Sequence, residues 1–209
     1  HTPTRRQRQM CIRDSSKSNH ISDSSYDENK RWPDGLSPFG FKVVKEMNKQ
    51  GVMIDISHVS DAAFMKVLEL SDAPVVATHS SLRHFTPGWE RNVSDEMLIA
   101  LAENGGVIQL CFGSDFVANR KDNPDIQVSV KNVVDHIDRV RDLVGIDHVG
   151  FGSDFDGEVP LPEDINDVSK FPNLIEELLM RGYTESEIDK ILNGNILRVW
   201  KEVRALADA

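Results

Sequence analysis

The sequence predicts an α/β protein, the C-terminal half of a (β/α)8 TIM-like barrel, on three observations. Four short runs, "VMIDI" (52–56), "PVVAT" (74–78), "GVIQLCF" (106–112) and "HVGFG" (148–152), are nearly continuous in apolar character, as strands buried on both faces of a parallel sheet are. Segments of helical hydrophobic period alternate with them. Four such β/α repeats make half of an eightfold barrel, whose usual length of about 250 residues exceeds the 209 present. An open doubly wound sheet is the alternative, but no glycine-rich phosphate loop follows the first run.

The helices follow from their stripes and end signals. In "FKVVKEMNKQG" (41–51), Val43, Val44 and Met47 share a face and Gly51 closes the helix. "SDEMLIALAENGG" (94–106) opens on a cap, Ser94, carries Asp95 and Glu96 in its first turn, and stops at Asn104-Gly105. "VKNVVDHIDRVRDLVG" (130–145) aligns Val133, Val134, Ile137, Val140 and Val144. Pro172 fits a first helical turn and Gly182 an end, and Thr184 with Glu187 has capping-box spacing ahead of Ile188, Ile191 and Leu192. The long mixed loop "SSLRHFTPGWERNV" (80–93) lies where a barrel enzyme carries substrate contacts.

With 39% hydrophobic and 28% charged residues, the chain can bury one sizeable core. No apolar run is long enough for a transmembrane helix. A net charge of -10 argues against nucleic acid as a partner, since phosphate binding needs a concentrated basic surface. Two cysteines, Cys11 and Cys111, make no disulfide framework and leave the compartment open, cytoplasmic or exported. Residues 1–15 differ from the rest: four arginines, one aspartate and no amphipathic period. Their "MCIRDS" resembles the translation of a sequencing-library adapter. Residues 1–15 are therefore read as non-native, and 16–209 as the C-terminal part of one barrel domain.

Side chains at the carboxyl ends of barrel strands converge on one face, so His58 and His79, each ending an apolar run, are candidate metal ligands. Imidazole suits zinc; the alternative is two hydrogen-bonded strand-end histidines. "GFGSDFDG" offers Asp154 as the active-site carboxylate, with Asp156 in reserve, although aspartates in such loops also form turns. Arg91 is either a site residue or a solvated charge. His84, His136 and His148 receive structural readings, and His20 has no assigned place.

Taken together, "DGLSPFG", "MIDISHVSD", "APVVATHSSLRHFTPGWERNVSDE", "VGFGSDFDG" and "DVSKFPNLIEELLMRGYTESEIDKILNGNILRV" closely resemble the renal, or membrane, dipeptidase family. The resemblance implies a barrel of the metal-dependent hydrolase type, with two zinc ions that hydrolyse dipeptides. It makes His58 and His79 ligands of the second zinc, Asp154 the acid/base and Arg91 the partner of the substrate carboxylate. The first zinc's His-x-Asp pair and the bridging glutamate belong to the half upstream of this chain, and a further family histidine falls at Ser15. Dipeptide hydrolysis is thus expected of a longer parent protein, with this chain inactive alone. A homodimer of the parent is compatible with the resemblance. The rivals are another amidohydrolase-type enzyme, such as a deaminase, and a non-catalytic homologue.

Overall fold

In the computed structural model, which describes residues 17–157 and 159–207 and the backbone of 9–11, five strands run parallel in strict succession. They are β1 (Gln9–Cys11), β2 (Met53–Asp55), β3 (Val76–Ser80), β4 (Val107–Leu110) and β5 (Val149–Phe151). Met10 lies opposite Ile54, Asp55 opposite Val76, Ala77 opposite Ile108 and Gln109 opposite Gly150. Each strand pairs with its neighbour in sequence, as in a barrel wall. A doubly wound sheet reverses its order at a switch point, and none occurs among the described strands.

All four predicted strands are present; β2, β4 and β5 are shorter than their apolar runs, and β3 has the expected length but starts two residues later. The fifth, β1, falls within the adapter-like segment. Joining an open parallel edge requires only backbone N–H and C=O groups. The remainder of that segment, including Ser15, lies outside the described residues.

Helices follow the strands. α1 (Pro38–Gln50) starts where Ser37 Oγ accepts from the Gly40 amide at 2.9 Å, and ends at Gly51 in the left-handed region. α2 (Asp61–Leu70), capped by Ser60, adds a helix to those predicted. α3 (Asp95–Glu103) is capped by Ser94 as expected, α4 (Ser114–Val117) is a single turn, and α5 (Val130–Val144) opens with a Ser129/Asn132 capping box. α6 (Phe171–Met180) has Pro172 in its first turn. α7 (Glu185–Asp189) carries the Thr184/Glu187 box, and a π turn, Lys190–Gly194, joins it to α8 (Asn195–Ala207). No helix among the described residues is long and apolar enough to cross a membrane.

Strand side chains alternate between faces. Ile54, Val75, Ala77, Ile108 and Leu110 pack with Phe64, Leu98, Val133 and Ile137 of the helices on one face. On the other, Met53, Val76 and Val107 meet Val199 and Val203 of α8. Each fully buried aliphatic side chain contributes roughly 1.5–3 kcal/mol, so both faces of the sheet carry substantial packing energy.

Two features place the site. The β3–β4 register shifts between Ala77 and Ser80, so His79 sits in a bulge. His79 Nε2 comes within 2.7 Å of His58 Nε2 from this irregular stretch. Gly152, just beyond β5, passes so close to β3 that a Cβ there would lie 1.9 Å from the Thr78 carbonyl oxygen.

Candidate metal centre

His58 lies three residues beyond β2 with φ of 69°, the left-handed region that a non-glycine residue seldom adopts. Its carbonyl accepts from the Ser25 amide at 2.8 Å and from Ser25 Oγ at 3.0 Å, which holds the turn. His79 reaches towards it from the bulge. The two Nε2 atoms are 2.7 Å apart and the ring centroids 4.8 Å. The structure therefore brings together two histidines separated by 21 residues in sequence.

Behind His79, its Nδ1 lies 2.8 Å from Thr78 Oγ1, which lies 2.5 Å from Asp55 Oδ2. Asp55 is fully buried, and its Oδ1 accepts from the amides of Ser57 at 2.9 Å and Thr78 at 3.1 Å. The aspartate inside the apolar run "MIDIS" was the sequence signal for this group; Thr78 offered none.

Arg91 is buried, 3% exposed, and so is not a solvated surface charge. Its Nη1 donates to Ser80 Oγ at 2.8 Å and its Nη2 to the His79 carbonyl at 2.6 Å, while the guanidinium sits 5.1 Å from the Phe116 ring centre. Burial lowers its pKa; Tyr26, Cys111, Asp154 and Asp55 nearby act the other way. The loop presenting it is firmly built. Arg83 grips Asp61 through two bonds of 2.7 and 2.6 Å, and fully buried Asn92 donates to Thr86 Oγ1 at 2.7 Å and the Phe116 carbonyl at 2.8 Å.

Asp154 also has positive φ, 60°, in a turn closed by the Gly157 amide donating to its carbonyl at 3.0 Å. A Cβ on Gly157 would meet the Asp154 carboxylate at 2.6 Å, so glycine there lets the carboxylate fold over the turn. The Cys111 thiol lies 3.8 Å from Asp154 Oδ2. Burial, aided by the Asp154 charge, raises that thiol to about 12. Asp156, the reserve carboxylate, is exposed.

Tyr26, to which sequence reasoning gave no role, stands with its ring 5.8 Å from that of His58. Burial raises its phenol pKa and the adjacent Arg91 opposes the shift. Together with Trp89, Phe116, Arg120 and Pro160 it lines a cavity of about 700 Å3. The other described histidines lie apart. His20 stacks on Phe39, exposed His84 lies edge-on to Phe85, and His148 Nδ1 is 2.8 Å from the Gly106 carbonyl ahead of β5. His136 is fully buried, accepting from the Leu82 amide at Nδ1, 3.0 Å, and donating from Nε2 to the Val117 carbonyl, 3.1 Å.

Parallel strands paired in sequence order, with two convergent imidazoles and a carboxylate near their ends, define an α/β-barrel protein with a candidate metal centre. The sequence profile of the membrane dipeptidase family, peptidase family M19, matches residues 8–209, and the chain belongs to that family. Mouse (Mus musculus) dipeptidase 3 is 38% identical over 174 residues, 83% of this chain and 34% of its own length. The probable dipeptidase PvdM from Pseudomonas aeruginosa superposes with a TM-score of 0.86 at 29% identity, over 96% of this chain and 63% of its own. A metallopeptidase from Rhodobacter sphaeroides, liganded with a phosphinate mimic of the dipeptide L-Ala-D-Ala, gives 0.79 at 30% identity, over 94% and 56%. The chain thus spans about a third of that curated relative and about 60% of these two structures.

A metal ion is the cofactor this family implies. The donor set fits: two convergent imidazole nitrogens, one with a hydrogen-bonded support behind it. Among the described residues, no third His, Cys, Asp or Glu completes a metal-holding group with them.

Proposed function

We propose that this chain supplies part of the active site of a zinc-dependent dipeptidase, whose remaining ligands, a His-x-Asp pair and a bridging glutamate, come from a longer parent protein. The observation that carries this reading is the 2.7 Å approach of His58 and His79 Nε2 in a chain of the membrane dipeptidase family. The dipeptide mimic bound by the Rhodobacter sphaeroides relative supports the substrate class. A net charge of -10 favours such a small substrate over nucleic acid.

His58 and His79 hold one zinc through neutral Nε2 atoms. Bound zinc supplies a Lewis acid for the scissile carbonyl and lowers the pKa of water. Asp154 carries a proton to the leaving amine. Arg91, anchored by its bonds to Ser80 and His79 and hydrogen-bonded to Tyr26, holds the carboxylate of the dipeptide. The cavity beside Tyr26 and Trp89 takes the substrate's side chains.

The test is metal analysis of the purified parent. His58→Ala and His79→Ala are each expected to remove about one zinc per chain and nearly all dipeptidase activity, because water does not replace a protein nitrogen without loss of affinity. Full zinc content in both variants would overturn the assignment.

A further inference from the structure

We propose that Asp55 and Thr78 form a polarised hydrogen-bond relay that locks His79 as its Nδ1–H tautomer, so that the Nε2 lone pair is presented to the metal. The proposal rests on the reading of His79 as a ligand and adds two positioning residues that touch neither metal nor substrate.

The direction of the relay follows from donors and acceptors. Asp55 sits at the end of β2, fully buried, and the Ser57 and Thr78 amides donate to its Oδ1. Those two bonds orient the carboxylate and leave Oδ2 facing Thr78 Oγ1 at 2.5 Å. A carboxylate only accepts, so the hydroxyl proton of Thr78 points at Asp55. Towards His79 Nδ1, 2.8 Å away, the same oxygen can then only accept. Nδ1 therefore carries the ring proton, and neutral His79 keeps its lone pair on Nε2, the atom that faces His58. A carboxylate acting through a hydroxyl also makes the imidazole a stronger donor to a cation, as partners behind metal-bound histidines do.

The backbone fixes the same geometry. Thr78 and His79 lie in the bulge of β3, the His79 amide donates to Ser57 Oγ at 3.1 Å, and Gly152 crosses against the Thr78 carbonyl. One small segment, 55–57, thus orients the Thr78 hydroxyl and anchors the His79 backbone.

Asp55→Asn offers a sharp test because it keeps the shape and reverses the polarity. The asparagine oxygen stays with the two amides, its NH2 donates to Thr78 Oγ1, and the threonine proton turns to His79 Nδ1, which moves the ring proton to Nε2. Thr78→Val removes the hydroxyl at constant volume, and Thr78→Ser restores it. In the parent protein with 15N-labelled histidine, long-range 15N–1H spectra of the metal-free form report the tautomer, and competition with a chromophoric chelator reports Zn2+ affinity.

His79 is expected as Nδ1–H in the unaltered protein and in Thr78→Ser, and as Nε2–H in Asp55→Asn. Zn2+ binding should weaken about 10- to 100-fold in Asp55→Asn and Thr78→Val and stay near the original in Thr78→Ser. If Thr78→Val does not fold, the serine and asparagine variants decide alone. An Nε2–H ring in the unaltered protein, or unchanged Zn2+ affinity in Asp55→Asn, would overturn the relay. Undiminished zinc in His79→Ala would instead remove the ligand assignment and with it the metal half of the proposal, while the tautomer spectra still judge the relay itself.

Discussion

The guanidinium of Arg91 donates from Nη2 to the carbonyl oxygen of His79 at 2.6 Å, tying the proposed carboxylate-reading residue to a proposed zinc ligand. A second bond, Nη1 to Ser80 Oγ, makes the grip two-pronged. Lysine offers a single point charge and cannot reproduce it. Losing one charged hydrogen bond of about 1.5–3 kcal/mol lowers catalytic efficiency roughly 10- to 150-fold. Arg91→Lys in the parent is expected to fall by that factor on free dipeptides, while both proteins are similarly poor on dipeptide amides. Matched kcat/KM measurements on acid and amide substrates check this. Equal sensitivity on both substrates would mean that Arg91 only braces β3 and does not read the carboxylate.

Asp154→Asn should retain metal and lose about 10²- to 10⁴-fold in turnover, the usual contribution of a general acid or base. Asparagine tolerates the left-handed backbone that Asp154 adopts, and the Gly157 amide bonds to a main-chain oxygen that the substitution leaves alone. The turn therefore survives and only proton transfer is removed. Asp156→Asn, at an exposed position, is the control. A loss confined to Asp156→Asn would transfer the role to that residue.

Gly152→Ala tests how closely β5 and β3 are coupled. The added methyl would lie 1.9 Å from the Thr78 carbonyl oxygen, a backbone atom that cannot swing aside. Overpacking of this kind costs about 1–3 kcal/mol and occasionally more. A lower urea midpoint with an unchanged slope is expected, together with weaker metal binding, since Thr78 supports His79. An unchanged midpoint would show that the strands separate more easily than their contact implies.

Periodicity and end chemistry made most of the fold legible. Apolar runs marked four strands, and Ser94, Gly51 and the Thr184/Glu187 pair marked helix ends, because these signals are local. His58 and His79 were legible because each terminates an apolar run. What escaped depends on three-dimensional pairing. Nothing in "PVVATHSS" announces the register shift between Ala77 and Ser80, and neither His58 nor Asp154 advertises a positive φ in the way glycine does. Thr78 acquires its meaning only when β2 sets Asp55 beside it. Tyr26 arrives from a loop far from both strands in sequence. His136, given a structural reading, proves to be a fully buried bridge between Leu82 and Val117.

That bridge carries a pH prediction. Burial, the main cause, with a smaller contribution from His84, lowers the His136 pKa from 6.5 to about 4. The ring is neutral in the folded protein, accepting at Nδ1 and donating at Nε2, and a second ring proton would point at the Leu82 amide. Between pH 6.5 and 4 the unfolded chain binds a proton here that the folded chain does not, so stability rises with pH across that window. The His136 contribution is complete above pH 6.5, is lost progressively as the pH falls, and levels off below about 4. At 1.36 kcal/mol per unit the loss approaches about 3 kcal/mol. Carboxylates titrate in the same range, so the measurement must be a difference. His136→Gln can keep both hydrogen bonds, its oxygen accepting from Leu82 and its nitrogen donating to Val117, without titrating. Urea unfolding of the parent and of His136→Gln from pH 7 to pH 4 should give curves that converge, or cross, as the unaltered protein loses its extra increment. Parallel curves across the window would mean that His136 does not couple folding to pH.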